Sequence, residues 1–284
     1  MMNAEVDEII KKALNEDIGE GDVTTSAILK SDISGKGIFL VKQGGIIAGL
    51  DVVERLFNIF DPGLSFVKYV LDGDKVEKGK TAAVVEGSAA SILTCERTAL
   101  NFLQRMSGIA TMSRKFSDAA AHTKAKILDT RKTVPGLRLL DKIAVESGGG
   151  KNHRIGLYDM FLIKDNHIAV AGSITSAVSA CKKFRADKNL NVKIEVETTN
   201  LDEVKEALEC GVDFIMLDNF DIEEMKKAVK FIGGKCSIEA SGGIDMDTVK
   251  QIAETGVDFI SVGALTHSVK ALDISLEITT EMRK

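Results

Sequence analysis

The sequence predicts an α/β protein whose C-terminal half is a β/α barrel. After residue 125, short apolar segments alternate with amphipathic helical segments, which is typical of parallel strands buried on both faces. The last four units recur every 20 to 24 residues, a spacing that suits a barrel. No G-x-G-x-x-G segment opens a helix, which disfavours a dinucleotide-binding sheet. The preceding residues follow a different pattern, and a chain of 284 residues is long enough for two domains.

The N-terminal region begins with a helix and continues as a β-rich segment. Val6, Ile10 and Leu14 repeat at the spacing of one helical face. From residue 33 to residue 93, short apolar runs alternate with glycine-containing turns, which predicts strands joined by hairpins. One further helix is expected near residues 51–60.

A long helix is predicted over residues 94–121, with Gly108 as a point that divides it. Thr94 is the expected N-cap. Arg97 then lies in the first turn, where a cation opposes the helix dipole by a few tenths to about 1 kcal/mol. Two interpretations of Arg97 follow: a solvated surface arginine paired with Glu96, or an arginine that faces an anion.

Six strands are predicted after residue 125, and nearly every one ends in a charged or hydroxyl side chain. They are AKILDT (125–130), MFLIKD (160–165), VKIEVE (192–197), DFIMLDN (213–219), CSIEAS (236–241) and DFISVG (258–263). Active sites of β/α barrels lie at the C-terminal ends of the strands. A single polar loop start means little, but six in succession with both charge signs predict a site.

Five basic residues are concentrated around the first two of these strands. They are Arg131, Lys132, His153, Arg154 and Lys164, and a run of three glycines shortly precedes His153. The whole chain carries a net charge of −5, so this cluster does not reflect the overall composition. It predicts a pocket that holds several negative charges at once. His167, beside a strand end, is interpreted as a residue that orients its neighbours.

Two carboxylates, Glu197 and Asp218, end consecutive strands. Three uses are open: a Mg²⁺ site, hydrogen bonding to sugar hydroxyls, or general acid–base catalysis. The alternative without a catalytic role is a salt bridge to Lys164 or Arg131 at the mouth of the barrel.

Small residues follow the last two strands, in the segments ASGGI and SVGAL. Glycine lets backbone N–H groups approach a phosphate closely, and the loops after the last barrel strands often bind phosphate. The two segments together predict a phosphate site.

Several classes of protein are disfavoured by composition. Aromatic residues make up only 5% of the chain and tryptophan is absent, which together with the acidic balance argues against nucleic-acid binding. The N-terminus is polar and no apolar run approaches the roughly 20 residues that span a membrane. The scattered cysteines favour reduced thiols in a cytoplasmic protein. They are Cys95, Cys181, Cys210 and Cys236.

At these same residues the chain resembles the quinolinate phosphoribosyltransferases. The matching segments run in order over nearly the full length: GDVTT (21–25), ERTALNFLQRMSGIAT (96–111), DTRKTVPGLR (129–138), GGGKNHRIGLYDMFLIKDNHI (148–168), EVE (195–197), LDN (217–219), EASGGI (239–244) and SVGALTHS (261–268). The resemblance implies an N-terminal α/β sandwich (residues 1–110) followed by an open, incomplete β/α barrel (111–270). It also implies a C-terminal helix (271–284) that packs back on the first domain.

The resemblance implies transfer of a phosphoribosyl group from phosphoribosyl pyrophosphate to quinolinate, with decarboxylation and with Mg²⁺. The products are nicotinate mononucleotide, pyrophosphate and CO₂, on the route to NAD. It implies a homodimer in which Arg97 reaches the neighbouring subunit's site. The implied substrate-binding residues are Arg97, Thr130, Arg131, Lys132, His153, Arg154, Lys164, Glu197, Asp218, Ser241, Gly242, Gly243, Ser261, Val262 and Gly263. The implied catalytic residues are Lys132, Lys164, Glu197 and Asp218, and the last two also hold the metal, directly or through water or pyrophosphate.

Three other functions are weighed against this one. A paralogue linked to molybdate uptake shares the fold, but full retention of TRKT and KNHR disfavours it. An aldolase-like barrel would use a Schiff-base lysine, and the cations here are too many for one phosphate. The segment LDGDKVEKGKTAAVVEG (71–87) resembles half of a lipoyl or biotinyl carrier domain, but no carrier lysine motif follows it.

Overall fold

A computed structural model of the chain describes residues 4–29 and 33–281. Contacts divide it into two compact units. The first unit comprises residues 1–114, 133–149 and 268–284, and the second comprises 115–132 and 150–267. The boundary near residue 114 and the return of 133–149 to the first unit differ from the division at 110 that the sequence suggested.

The described residues form eleven helices and twelve strands. The helices are α1 (Ala4–Ile18), α2 (Val23–Ile28), α3 (Leu50–Phe60), α4 (Ala89–Ala120), α5 (Arg138–Ser147), α6 (Asp165–Ala171), α7 (Ile174–Asp187), α8 (Leu201–Glu209), α9 (Ile222–Ile232), α10 (Val249–Glu254) and α11 (Ala264–His267). The strands are β1 (Ser34–Val41), β2 (Gly45–Ile46), β3 (Ser65–Lys68), β4 (Lys75–Val76), β5 (Thr81–Ser88), β6 (Lys126–Leu128), β7 (Met160–Ile163), β8 (Lys193–Thr198), β9 (Phe214–Asp218), β10 (Ser237–Ser241), β11 (Phe259–Ser261) and β12 (Ile274–Glu281).

The first unit contains a four-stranded antiparallel sheet in the order β12-β1-β5-β3. Phe39 of β1, Phe57 of α3 and Phe66 of β3 meet with ring centroids about 6 Å apart, so α3 packs on this sheet. Arg55 of α3 donates two hydrogen bonds to Asp7, which joins α1 to α3. This arrangement confirms an α/β sandwich.

The predicted hairpins were wrong, because none of the strand pairs among the described residues of the first unit joins strands that are consecutive in the chain. β1 pairs with β5, β3 with β5, and the short β2 with β4. The turn at residues 72–73 serves α3 instead: the Asp72 carboxylate accepts from the backbone N–H groups of Gly49 and Leu50 at 3.0 and 2.9 Å. That cap satisfies donors that a helix start leaves unpaired.

Helix α4 corrects three expectations. It begins at Ala89 rather than Thr94 and it is not divided at Gly108. A Cβ on Gly108 would lie 2.3 Å from the carbonyl oxygen of Lys270, so the glycine permits close packing and does not break the helix. Arg97 therefore lies beyond the first turn, on an exposed position, and the argument from the helix dipole no longer applies.

The C-terminal segment returns to the first unit as a strand, and the predicted helix was wrong. β12 pairs antiparallel with β1, from Ile274 opposite Val41 to Glu281 opposite Ser34. Ile274 and Leu276 are buried while Glu277 is exposed, a period-two alternation that fits a sheet with one buried face. Residues 282–284 of the predicted helix lie outside the described residues.

The second unit is a six-stranded parallel sheet in the order β6-β11-β10-β9-β8-β7, flanked by helices. All six predicted strands are confirmed. Within the described residues β6 and β7 are the two edges and do not pair with one another, so the barrel is open. The C-terminal ends of all six strands lie on one side, since the strands are parallel.

Aspartates at the opposite ends of the strands hold the register. The pentapeptide GVDFI occurs at 211–215 and again at 256–260. Asp213 accepts from the N–H of Ile194 and Asp258 from the N–H of Ile238, each at 2.9 Å. These bonds join neighbouring strands where the ladder begins, far along the strands from the polar ends.

Candidate active site

A cavity of about 770 Å³ lies at the C-terminal ends of the six parallel strands. Thirteen of the predicted site residues line it: Thr130, Arg131, Lys132, His153, Arg154, Lys164, Glu197, Asp218, Ser241, Gly242, Gly243, Ser261 and Gly263. Val262 does not, because its side chain is buried in the core. Arg97 belongs to the first unit. Residues that were predicted on separate strand ends therefore line one contiguous pocket.

Two arginines dominate the basic side of the pocket. Arg131 follows β6, and its Nε–H is buried without a hydrogen-bond partner in the described part of the chain. Arg154 comes from the loop before β7, and its guanidinium donates to the carbonyl of Met160 at 3.3 Å. Burial and then the positive charge of Arg131 lower the pKa of Arg154. A buried unpaired donor and two mutually repelling cations favour an anionic ligand.

Lys164 and Glu197 form an ion pair across the pocket at 2.5 Å, between the ends of β7 and β8. Glu197 is only 11% exposed and Lys164 is 45% exposed. The backbone N–H of Lys164 donates to Nδ1 of His167 at 3.0 Å, a bond that caps the start of α6. Glu197 thus makes the salt bridge to Lys164 that was one of its interpretations, and an anion that binds Lys164 must compete with Glu197.

Within the described residues Asp218 does not pair with a cation. Its carboxylate accepts from the side-chain amide of Asn219 at 2.8 Å. Asn219 has a φ of +57° and its N–H donates to the carbonyl of Ser241 at 2.9 Å, which joins the β9 and β10 ends. A Cβ on Gly242 would lie 2.2 Å from the Asn219 side-chain oxygen, so only glycine fits there.

The remaining side of the pocket is built on the β6 and β11 ends. Thr130 Oγ1 accepts from the N–H of Lys132, and Thr266 donates to the carbonyl of Lys132 at 2.9 Å. His267, which the sequence gave no role, also lines the pocket, and its ring approaches Gly263. The signal for His267 was its position one turn after the glycine of the last strand end, on the short helix α11.

His153 lines the pocket, but its ring nitrogens are engaged within the protein. Nε2 lies 3.1 Å from a carboxylate oxygen of Glu195 and 3.4 Å from one of Glu239. Nδ1 accepts from the N–H of Arg154 at 2.7 Å. The sequence identified both glutamates as strand residues without a role. The role of Glu195 could have been predicted from the alternation of side chains along a strand, because Glu195 and Glu197 are two residues apart and so point to the same face of β8.

Among the described residues, His153, Glu195 and Glu239 are also the set of three groups close enough to share a metal ion. Glu197 and Asp218 do not belong to such a set. All four cysteines are free thiols. No helix in the described ranges has both the length and the apolar character that crossing a membrane requires.

Two family models match the chain. The quinolinate phosphoribosyl transferase N-terminal domain matches residues 22–107 and the C-terminal domain of the same family matches residues 109–277. The chain is 49% identical over 290 residues to the chloroplastic nicotinate-nucleotide pyrophosphorylase (carboxylating) of Oryza sativa subsp. japonica, across 96% of this chain and 78% of that protein. It is 44% identical to the probable enzyme of the same name in Bacillus subtilis (strain 168), across 95% and 93% of the two chains.

Solved structures are similar as well. NadC from Streptococcus pyogenes superimposes with a TM-score of 0.94 at 41% identity, over 99% of both chains. The nicotinate-nucleotide pyrophosphorylase of Francisella tularensis gives a TM-score of 0.90 at 42% identity, over 98% of both chains. The human nicotinic acid phosphoribosyltransferase is similar in fold alone, with a TM-score of 0.57 at 11% identity.

Proposed function

The chain belongs to the quinolinate phosphoribosyltransferase family, and from this we infer that it transfers the phosphoribosyl group of phosphoribosyl pyrophosphate to quinolinate. The transfer releases pyrophosphate and CO₂ and yields nicotinate mononucleotide. The enzyme is thus a pentosyltransferase of NAD biosynthesis.

The observation that carries this function is the pair of arginines at one side of the pocket. Arg131 has a buried N–H without a partner in the described residues, and its charge lowers the pKa of Arg154. Quinolinate presents two adjacent carboxylates, and arginine binds a planar carboxylate through two parallel N–H groups. A pyridine dicarboxylate therefore satisfies the unpaired donor and relieves the repulsion between the two cations.

The chemistry follows from the pocket's charges. The lone pair of the pyridine nitrogen forms the bond to C1′ of the ribose while the C1′–O bond to pyrophosphate breaks, and that electron pair leaves with pyrophosphate. Lys132 and Lys164 stabilise the negative charge that accumulates on the leaving group. The pyridinium formed in this step then accepts the electron pair left at C2 when CO₂ departs, and a proton replaces CO₂ there. An isolated quinolinate mononucleotide that the enzyme failed to decarboxylate would contradict this order.

We assign Mg²⁺ to Glu197 and Asp218. Mg²⁺ uses one or two carboxylates, keeps several waters and takes the rest of its ligands from substrate phosphates. Two carboxylates outside any three-residue cluster fit that donor set better than a closed protein cage. When bound, the ion supplies charge neutralisation to the pyrophosphate. Binding of the ion to the Glu197 oxygen that pairs with Lys164 would free that ammonium for the substrate's phosphates.

The proposed active unit is a homodimer in which Arg97 enters the partner's pocket. Arg97 is exposed on α4, and the relation of this arginine to an anion was one of its two interpretations. The second unit exposes Leu157, Tyr158 and Val170 by 74%, 74% and 92%. Such apolar exposure supports a surface that a second copy covers.

One assay tests the function: formation of CO₂ and nicotinate mononucleotide from quinolinate and phosphoribosyl pyrophosphate, with nicotinate as the control substrate. Equal turnover of nicotinate would assign a different phosphoribosyltransferase activity. The dimer is tested by mixing inactive Arg97→Ala subunits with inactive Lys164→Ala subunits. Hybrid dimers contain one site with both residues intact and should regain activity. No recovery despite demonstrated subunit exchange would place Arg97 in its own subunit's site.

A further inference from the structure

A buried acidic cluster lies at the floor of the pocket, where Glu239 itself lines the cavity. Glu195 of β8 and Glu239 of β10 both contact Nε2 of His153, and their side chains are 0% and 1% exposed. The hydroxyl of Ser261 on β11 donates to the other oxygen of Glu239. Three strands therefore converge on one imidazole.

The backbone at His153 is held from a second direction. Its N–H donates to a carboxylate oxygen of Asp129 at 2.9 Å, and Asp129 is itself fully buried two residues before Arg131. The N–H of Arg154 donates to Nδ1 of the ring at 2.7 Å. Arg131 thus lies two residues after one of the buried carboxylates. Arg154 directly follows the histidine that the buried carboxylates hold.

The position of the ring proton is fixed by this geometry. A proton on Nδ1 would face the amide hydrogen of Arg154 across 2.7 Å, so the ring carries its proton on Nε2.

On the proposed function, we propose that Glu239 and Glu195 are positioning residues that clamp the imidazole of His153 and thereby fix Arg154 for the carboxylates of quinolinate. The ring links the barrel interior to the backbone of Arg154, since Nε2 contacts the two glutamates and Nδ1 accepts from the N–H of Arg154; we call this linkage the strut. Arg154 needs such support because Arg131 repels it and because, within the described residues, its guanidinium makes one hydrogen bond, to the carbonyl of Met160. Groups that bind a ligand bidentately lose affinity when their support moves by more than about 0.5 Å.

The test is Glu239→Gln, which keeps the size of the side chain and removes its charge. Hydrogen bonds to a charged group are strong enough that we expect KM for quinolinate to rise about tenfold. We expect kcat and KM for phosphoribosyl pyrophosphate to change by less than about threefold, because the side-chain oxygen of glutamine can still accept from the hydroxyl of Ser261 on the phosphate side. The matched control is Glu254→Gln, since Glu254 contacts Nε2 of His122 at 3.0 Å on the exposed surface. That variant should match the wild type in all three constants.

The second readout is the ¹⁵N NMR spectrum of the histidine rings. The wild type should show His153 with a protonated Nε2 and an unprotonated Nδ1, and Glu239→Gln should shift both resonances while Glu254→Gln leaves them unchanged. If Glu239→Gln does not fold, Glu195→Gln carries the same test, because it contacts the same ring nitrogen.

Several outcomes overturn the inference. An unchanged KM for quinolinate would show that the strut does not set Arg154. A rise in KM for phosphoribosyl pyrophosphate alone would make Glu239 a direct contact of that substrate. A stoichiometric metal that survives chelation and is lost in Glu239→Gln would make the cluster a metal site. A wild type that does not convert quinolinate would instead refute the proposed function, and calorimetric binding of quinolinate to the wild type separates the two failures.

Discussion

Replacement of Gly242 by alanine tests whether the loop after β10 holds the phosphoribosyl donor. Gly242 has a φ of +99°, where a residue with a side chain carries about 1–3 kcal/mol of strain. The new Cβ would lie 2.2 Å from the side-chain oxygen of Asn219 and 2.8 Å from its backbone nitrogen. The side chain of Asn219 can rotate away, but its backbone nitrogen cannot. The loops after β9 and β10 must therefore separate.

The size of that separation sets the expected effect. To restore the 3.4 Å at which ordinary contact begins, the backbone must move by about 0.6 Å, which exceeds the roughly 0.5 Å that a binding site tolerates. Since a misplacement of about 1 Å costs roughly 100-fold in rate, we expect kcat/KM for phosphoribosyl pyrophosphate to fall between roughly 10- and 100-fold. The affinity for quinolinate, measured by calorimetry, should change much less.

The matched control is Gly172→Ala. Gly172 has a similar φ of +90°, but no atom lies within 4 Å of its new Cβ, and it ends α6 away from the glycine loops. Both variants carry the backbone strain and should lose thermal stability, and Gly242→Ala should lose more because its Cβ also clashes with Asn219. If Gly172→Ala lost as much kcat/KM as Gly242→Ala, or if Gly242→Ala lost none, the loop would not position the donor.

Three further predictions concern binding, stability and thiol chemistry. Arg131→Ala should abolish calorimetric binding of quinolinate while the circular dichroism spectrum stays unchanged, and retained affinity would remove its carboxylate role. Asp141→Asn should lower the free energy of unfolding in urea by about 3 kcal/mol, because it breaks a buried ion pair in which Arg105 donates to both carboxylate oxygens at 2.9 and 2.8 Å. The control is Glu8→Gln, which breaks an exposed ion pair with Lys11 and should lower the free energy of unfolding by less than about 1 kcal/mol. Burial raises the pKa of Cys95 to about 12 and that of Cys236 to about 11, so the fraction of each thiol that is ionised at pH 8 is small. Iodoacetamide should therefore alkylate neither cysteine in the native protein, whereas both should react in denaturant.

The barrel could be predicted from the sequence because its signals are local. Each strand is a continuous apolar run, and each amphipathic helix shows its period within a dozen residues. The polar strand ends predicted the pocket for the same reason, since parallel strands place all their C-terminal ends on one side. These rules require no knowledge of which strands are neighbours.

The N-terminal unit was harder because its contacts are distant in sequence. The pairing of β1 with β12 joins Ser34 to Glu281, which no local pattern reveals. The segment of β12 was misread as a helix, although Ile274 and Leu276 alternate with polar residues as a strand requires. Whether such a short segment becomes a strand depends on the strand that it pairs with. The partner of β12 is β1, at the other end of the chain.

The strand β8 carries carboxylates at two depths, and this explains how a cationic pocket stays folded without its substrates. Glu197 lies at the mouth, where it neutralises Lys164 until an anion displaces it. Glu195, two residues earlier on the same face, lies below it and together with Glu239 holds His153. The positive charges on the basic side of the pocket repel one another, which costs folding free energy. The two layers of carboxylates offset this cost. On the proposed function, we expect the substrate to displace the upper layer and to leave the lower layer in place. Substitutions in the upper layer should therefore alter metal and pyrophosphate binding, and substitutions in the lower layer should alter the recognition of quinolinate.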